Sequence, residues 1–222
     1  MILDLKKLVN KYNLNLNGVI QIGAHIGQEY NLYKELDIKH MAFFEPQKQI
    51  FEKLSNHISE SNNIKLYNIA LGNKKGSIKM YIDSYKQQSS SILKPKKHLN
   101  QYPHIEFHNE QNVGIDKLDN IIQSKLYNFI SMDVQGYELE VLKGSKNILH
   151  NIDYIQTEVN RDELYKNCAQ VNELDSFLGE YKFIRIVTNW KGKNWGDALY
   201  IKKNVYNPNL NIIDKIRRFF NI

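Results

Sequence analysis

The run Val19-Ile20-Gln21-Ile22-Gly23-Ala24-His25-Ile26-Gly27 constrains the fold of this chain more than any other stretch. Apolar residues that break on two glycines read as a buried parallel strand, a tight turn and a helix start, an arrangement that lets backbone N–H groups approach a polar ligand. Eighteen residues beyond Gly27, Glu45 closes a second apolar run, Met41-Ala42-Phe43-Phe44. An acid at that strand end reaches a ribose diol, so the two features describe a nucleoside-binding pocket. The glycines are spaced G-x-x-x-G rather than G-x-G-x-x-G, which argues against a dinucleotide such as NAD.

Hydrophobic periodicity predicts strands over 18–22, 40–44, 64–69, 77–82, 127–132, 154–157, 183–187 and 198–201. It predicts helices over 3–12, 28–36, 115–124, 138–149 and 162–178, and another after Pro46, which suits a first helical position. Strands alternating with helices make an α/β fold, a parallel sheet covered on both faces with ligands at the carboxyl ends of its strands. With 222 residues and no linker rich in Pro, Gly or Ser, the chain reads as one domain. Three segments stand apart: an N-terminal helix within 1–14, a polar loop at 83–112, and a basic amphipathic tail at 205–222. A loop of that length in a compact domain usually serves function.

Composition excludes several roles. A single cysteine, Cys168, rules out an intrachain disulfide and a cysteine-based zinc site. The net charge of +6 comes mostly from lysine, without the clustered arginines and interleaved aromatics of a nucleic-acid groove. No run reaches the roughly 18 apolar residues that span a bilayer, and the start lacks a secretory signal pattern. The expectation is a soluble cytoplasmic protein whose basic tail offers contact at a membrane surface. His98, His104 and His108 fit no metal motif and read as solvated loop histidines, so no metal is expected. Trp190 and Trp195 suggest an aromatic wall suited to a sugar face.

Asp133 and Glu158 each end a further apolar strand, so three presumed parallel strands finish in carboxylates around one rim. An acid at an apolar terminus needs partners to offset its desolvation, which points to a site. In this order along the chain, the opening motif, Phe44-Glu45-Pro46, Asn68-Ile69-Ala70-Leu71-Gly72-Asn73, Leu118-Asp119, Asp133-Val134-Gln135-Gly136-Tyr137-Glu138-Leu139-Glu140-Val141-Leu142-Lys143-Gly144 and Glu158 resemble the FkbM-type S-adenosylmethionine-dependent methyltransferases.

That resemblance implies a Rossmann-like class I methyltransferase fold with a mostly parallel seven-stranded sheet and helices on both faces. It implies S-adenosylmethionine as cofactor, held by Gln21, Gly23, Ala24, His25, Gly27, Glu45, Pro46, Ala70, Leu71, Ser90 and Asp133. The glycine turn would cradle the methionine portion, Glu45 the ribose, and Ala70 with Leu71 the adenine, while Ser89 to Ser91 close over the site. Gln21 and Gln135 stand where the family often carries Asp and Glu, so two carboxylates are replaced by amides. The implied reaction is methyl transfer to a hydroxyl, with a sugar in a surface glycan as the acceptor. Asp133, then Glu158, then His25 are the candidate bases. An RNA 2′-hydroxyl and a noncatalytic role in glycan assembly are the rival readings.

Overall fold

A computed structural model of the chain describes residues 2–208. In chain order, α1 (Leu5–Tyr12) leads into β1 (Gly18–Ile22), followed by α2 (Tyr30–Glu35), β2 (His40–Phe44), α3 (Lys48–His57) and β3 (Ile64–Tyr67). Next come the short β4 (Ala70–Leu71), β5 (Gly76–Ile82), α4 (His98–Gln101), β6 (Asn109–Asp116) and α5 (Leu118–Ile121). The second half holds β7 (Phe129–Met132), α6 (Glu138–Lys143), β8 (Tyr154–Asn160), α7 (Val171–Glu180), β9 (Phe183–Lys191) and β10 (Trp195–Lys202).

Seven strands make one sheet in the order β3-β2-β1-β7-β8-β10-β9. All its neighbours pair in parallel except β10, which runs antiparallel to both β8 and β9. The α/β architecture with a mostly parallel seven-stranded sheet is therefore as the sequence implies. A second sheet, β4-β6-β5, lies beside it.

β1 sits at the centre because all five of its residues are buried, as a parallel strand covered on both faces requires. Its side chains alternate between two cores. Ile20 and Ile22 join Phe44, Met132 and Leu142 on one side, while Val19 joins Phe43, Phe129, Tyr33 and α1 on the other. Each fully buried aliphatic side chain of this kind contributes roughly 1.5–3 kcal/mol. α1 starts where the Asp4 carboxylate accepts the Lys7 backbone N–H at 3.1 Å and stops at Asn13, which adopts a left-handed φ of 49°.

The structure departs from the sequence reading in several places. The polar segment 83–112 ends in a strand, because β6 pairs antiparallel with β5 from Asn109↔Ile82 to Ile115↔Gly76. Its outward residues are uniformly polar, which hid the alternation. The helix read over 115–124 shrinks to α5 for the same reason, its first residues belonging to β6. Pro46 precedes α3 by two residues instead of opening it. Asp162 to Gln170 is loop, so α7 begins at Val171, and the helix expected over 138–149 breaks after Lys143. The last two strands are longer than expected and form a hairpin. Residues 209–222, which hold the segment of the basic tail read as an amphipathic helix, lie outside the described residues.

Candidate active site

The carboxyl ends of β1, β2 and β7 meet at one rim. Gly23 and Ala24 both donate their backbone N–H to Phe44 O, at 3.0 and 2.9 Å, and Asp133 N donates to Ile22 O at 3.0 Å. Gly23 carries a φ of 77°, and a Cβ there would lie 2.0 Å from Asp133 O, so this turn accepts only glycine. A cavity of about 370 Å³ opens above the rim, within the size range of small-molecule sites.

Of the residues the sequence nominates, Gln21, Gly23, His25, Glu45, Pro46, Ala70, Leu71, Ser90, Asp133 and Glu158 line this cavity. Ala24 and Gly27 do not line it. Ala24 is buried in the core, and a Cβ on Gly27 would meet Leu54 and Ile58 of the neighbouring helical segment, so these two residues shape the turn from behind. Trp195 lines the cavity, but Trp190 lies elsewhere, its ring covered by the Arg161 guanidinium at 3.6 Å.

Glu45 is buried, with Oε2 accepting His25 N and Oε1 accepting Gln47 N, both at 2.9 Å. Each oxygen keeps a lone pair for a second donor. Burial pushes this carboxyl up to about 7, against the pull of the two backbone N–H groups. Asn68 ties the same strand end down by donating to Glu45 O and Pro46 O at 2.9 and 3.1 Å.

Gln21 shares the face of Val19 and accepts the hydroxyl proton of buried Tyr33 at its Oε1. An Asp at this position would face the same phenol. The amide nitrogen is left to meet an acceptor such as a carboxylate.

Across the rim, Gln135 occupies the centre of a group of acids. Its Nε2 donates to Asp133 Oδ1 at 2.6 Å and to Glu158 Oε2 at 3.1 Å, while its Oε1 and Ser89 O share the single Tyr165 hydroxyl proton, each 2.8 Å from Oη. The neutral amide thus separates two carboxylates, a task a Glu there performs only by holding a proton. Glu158 lies past the last parallel pair, Thr157↔Met132, yet continues the ladder with β10 opposite Asp197. It is therefore inside a strand rather than at its end. Burial, then the carboxylates of Asp133, Glu138 and Asp197, push Glu158 well above the usual carboxylate range.

Two of these acids were given no role by the sequence. Glu138 folds the loop after β7 by accepting Val134 N and Gly136 N at 3.2 and 3.1 Å, and Asp197 accepts Leu3 N at 3.0 Å. An acid at the first position of a helix is the available signal for Glu138, since free N–H groups collect there.

The segment after β5 covers the cavity and is well fastened. Asp83 Oδ1 accepts the backbone N–H groups of Tyr85, Lys86 and Gln87 at 2.8–3.0 Å, and Oδ2 accepts that of Ser89 at 2.6 Å. The Ser90 hydroxyl accepts Asp83 N at 3.1 Å. His25 bonds Lys86 O through Nε2 and Gln28 through Nδ1, both at 3.0 Å. With both ring nitrogens engaged, His25 is a clasp rather than a free base. Gln47 and Tyr165, which the sequence did not single out, donate to Gln87 O at 3.2 Å and Ser89 O at 2.8 Å.

His98 overturns the reading of solvated loop histidines. It is 3 % exposed, lines the cavity, and packs against Tyr102, Phe107 and Tyr165 with centroids 5.0–5.5 Å apart. Among the described residues no group of acids, histidines and cysteines has the geometry to hold a metal ion.

The family model of the Methyltransferase FkbM domain matches residues 21–185. The chain is similar to the 2-O-methyltransferase NoeI of Sinorhizobium fredii, 24% identical over 176 residues that cover 75% of this chain and 72% of that protein. Among solved structures it is similar in fold to the N-methyltransferase NodS of Bradyrhizobium japonicum WM9, with a TM-score of 0.50 at 9% identity, covering 89% of this chain and 93% of that one. An rRNA methylase from Streptococcus thermophilus gives a TM-score of 0.50 at 14% identity, covering 91% and 98%.

Proposed function

The chain belongs to the FkbM methyltransferase family, and from that premise we infer that it methylates a hydroxyl group, with a sugar of a surface glycan as acceptor. It is an S-adenosylmethionine-dependent methyltransferase. The residues present fit that cofactor: Glu45 offers one lone pair per oxygen to a diol, Gly23 lets the backbone come close, and Ala70 and Leu71 supply an apolar wall. When bound, S-adenosylmethionine supplies an electrophilic methyl group on a positively charged sulfur.

The chain's own contribution is positioning and exclusion of water. Glu45 and the Gly23 turn fix the nucleoside end, and the clasped segment from Asp83 to Ser91 shields the cavity. A weakly acidic hydroxyl also needs a proton acceptor within hydrogen-bond reach. Of the three candidates, His25 is engaged at both nitrogens, and Glu158 is held toward its protonated form. Asp133 retains that role, with Oδ1 anchored by Gln135 and Oδ2 accepting no hydrogen bond from a described residue.

The observation that carries the sugar reading is the aromatic and apolar wall of Tyr102, Trp195 and Leu164, with Trp195 two residues along its strand from the Asp197–Glu158 pair, a surface that suits a pyranose ring. Similarity to a protein named a 2-O-methyltransferase supports the choice of oxygen. Mass spectrometry of saccharides incubated with protein and S-adenosylmethionine tests it, the expected result being a gain of one methyl. Salt-sensitive RNA binding with no saccharide product would favour an RNA acceptor instead. Membrane-surface contact rests on the tail, and deleting 210–222 tests it by loss of partitioning onto anionic vesicles. No helix of the described residues is long and apolar enough to cross a membrane.

A further inference from the structure

Buried polar groups are almost always hydrogen-bonded, so a buried group left unmet points to something the protein lacks. His98 Nδ1 is such a group, buried and without a partner, and no described residue meets Nε2. Three rings pack on the imidazole, Tyr102 from the position just past α4 and Phe107 and Tyr165 from neighbouring segments. It is anchored in place by backbone as well, with His98 N donating to Leu164 O at 3.1 Å. Trp195 extends this wall and is itself fixed, its Nε1 donating to Tyr102 Oη at 3.1 Å. Tyr165 in turn hydrogen-bonds Gln135, which holds the candidate base Asp133, so this wall adjoins the group that would take the acceptor's proton.

We propose that His98 is the acceptor-binding residue of this enzyme, hydrogen-bonding a ring hydroxyl of a pyranose that rests its apolar face on Tyr102 and Trp195. The proposal rests on the sugar reading above and deepens it. Burial also pushes the imidazole down to about 4, so at neutral pH it is uncharged, with one nitrogen a donor and the other an acceptor, and a ring hydroxyl matches whichever of the two it reaches. His98 does not take the hydroxyl's proton in this scheme. It binds a hydroxyl other than the one that reacts at Asp133, which makes its effect one of binding rather than of the chemical step.

The test uses the full chain, methyl glycosides as acceptors with S-adenosylmethionine as methyl donor for the kinetics, and S-adenosylhomocysteine as the cofactor probe in calorimetry. His98→Phe raises the KM for glycoside about tenfold, the cost of one lost hydrogen bond plus an unmatched polar group, with kcat little changed. His98→Gln, which keeps a donor and an acceptor, recovers most of that loss. Calorimetric affinity for S-adenosylhomocysteine stays within about twofold in both variants, and in wild type the glycosides shift the ring nitrogen resonances of His98 but not those of His104 or His108. An unchanged KM in His98→Phe, or equal losses of glycoside and cofactor binding in both variants, overturns the proposal while leaving the sugar reading in place. If wild type binds S-adenosylhomocysteine but neither shifts nor methylates any glycoside, the sugar reading falls and this proposal falls with it.

Discussion

The two walls of the cavity are built by different physics. The rim of β1, β2 and β7 is set by a parallel ladder in which Ile22 sits between Phe44 and Met132, and the turn that follows is fixed by backbone bonds to Phe44 O. The opposite wall, from Asp83 to Phe107, has little regular structure and is placed by single side chains. Asp83 gathers four backbone N–H groups within the next six residues, and His25, Gln47 and Tyr165 reach over long sequence distances to the carbonyls of Lys86, Gln87 and Ser89. A ladder tolerates exchange of one side chain for another of like size, whereas a clasped loop depends on single polar atoms.

The sharpest way to break the rim is Gly23→Ala. Its Cβ would lie 2.0 Å from Asp133 O at a φ of 77°, and we expect a loss of about 4 kcal/mol in urea unfolding, or no folded protein. Gln135→Leu comes next, since it removes the donor shared by Asp133 and Glu158 and strands both acids. Roughly 2–3 kcal/mol is expected at pH 8 and clearly less at pH 5, where a proton replaces the lost donor; melting temperature against pH reads this out.

Glu45→Gln separates binding from stability. S-adenosylhomocysteine affinity falls by roughly tenfold or more, because the amide oxygen accepts without charge and the amide nitrogen cannot accept at all. Glu45 is raised from 4.5 to about 7, so the cost of ionising it in the fold builds between those values and is complete above them; the amide removes that cost but turns an NH2 toward His25 N or Gln47 N, and the melting temperature at pH 8 changes little. In wild type, affinity rises as pH climbs through about 7, and binding at pH 6 releases a proton, which calorimetry in buffers of different ionisation heat detects. The smallest global effect belongs to Asp83→Ala. Amide exchange from Tyr85 to Ser89 speeds up by about tenfold or more while the melting temperature barely moves, the signature of a local opening.

The same contrast explains what the sequence made legible. The bounds of β1 and β2 follow from apolar runs that end in Gly23 and Glu45, and burial of every β1 residue is what such a run requires. β8 was read short because Glu158 and Asn160 are polar, though both are buried by the antiparallel β10, which no local pattern reveals. His98 was misread because its burial comes from Phe107 and Tyr165, one of them far along the chain. Gln21 and Gln135 were visible as departures from the family, but their partners, Tyr33 and the paired acids, needed the fold.

The covering segment is clasped by His25 and Gln47 at Lys86 and Gln87, and by Tyr165 at Ser89. A strap clasped from both sides of the cavity opens from either one. Undoing the first frees the nucleoside end and leaves the aromatic wall closed, and undoing the second does the reverse. Turnover is then expected to follow a random order, with spent donor and methylated product departing independently, so that isotope trapping captures either bound partner ahead of the other.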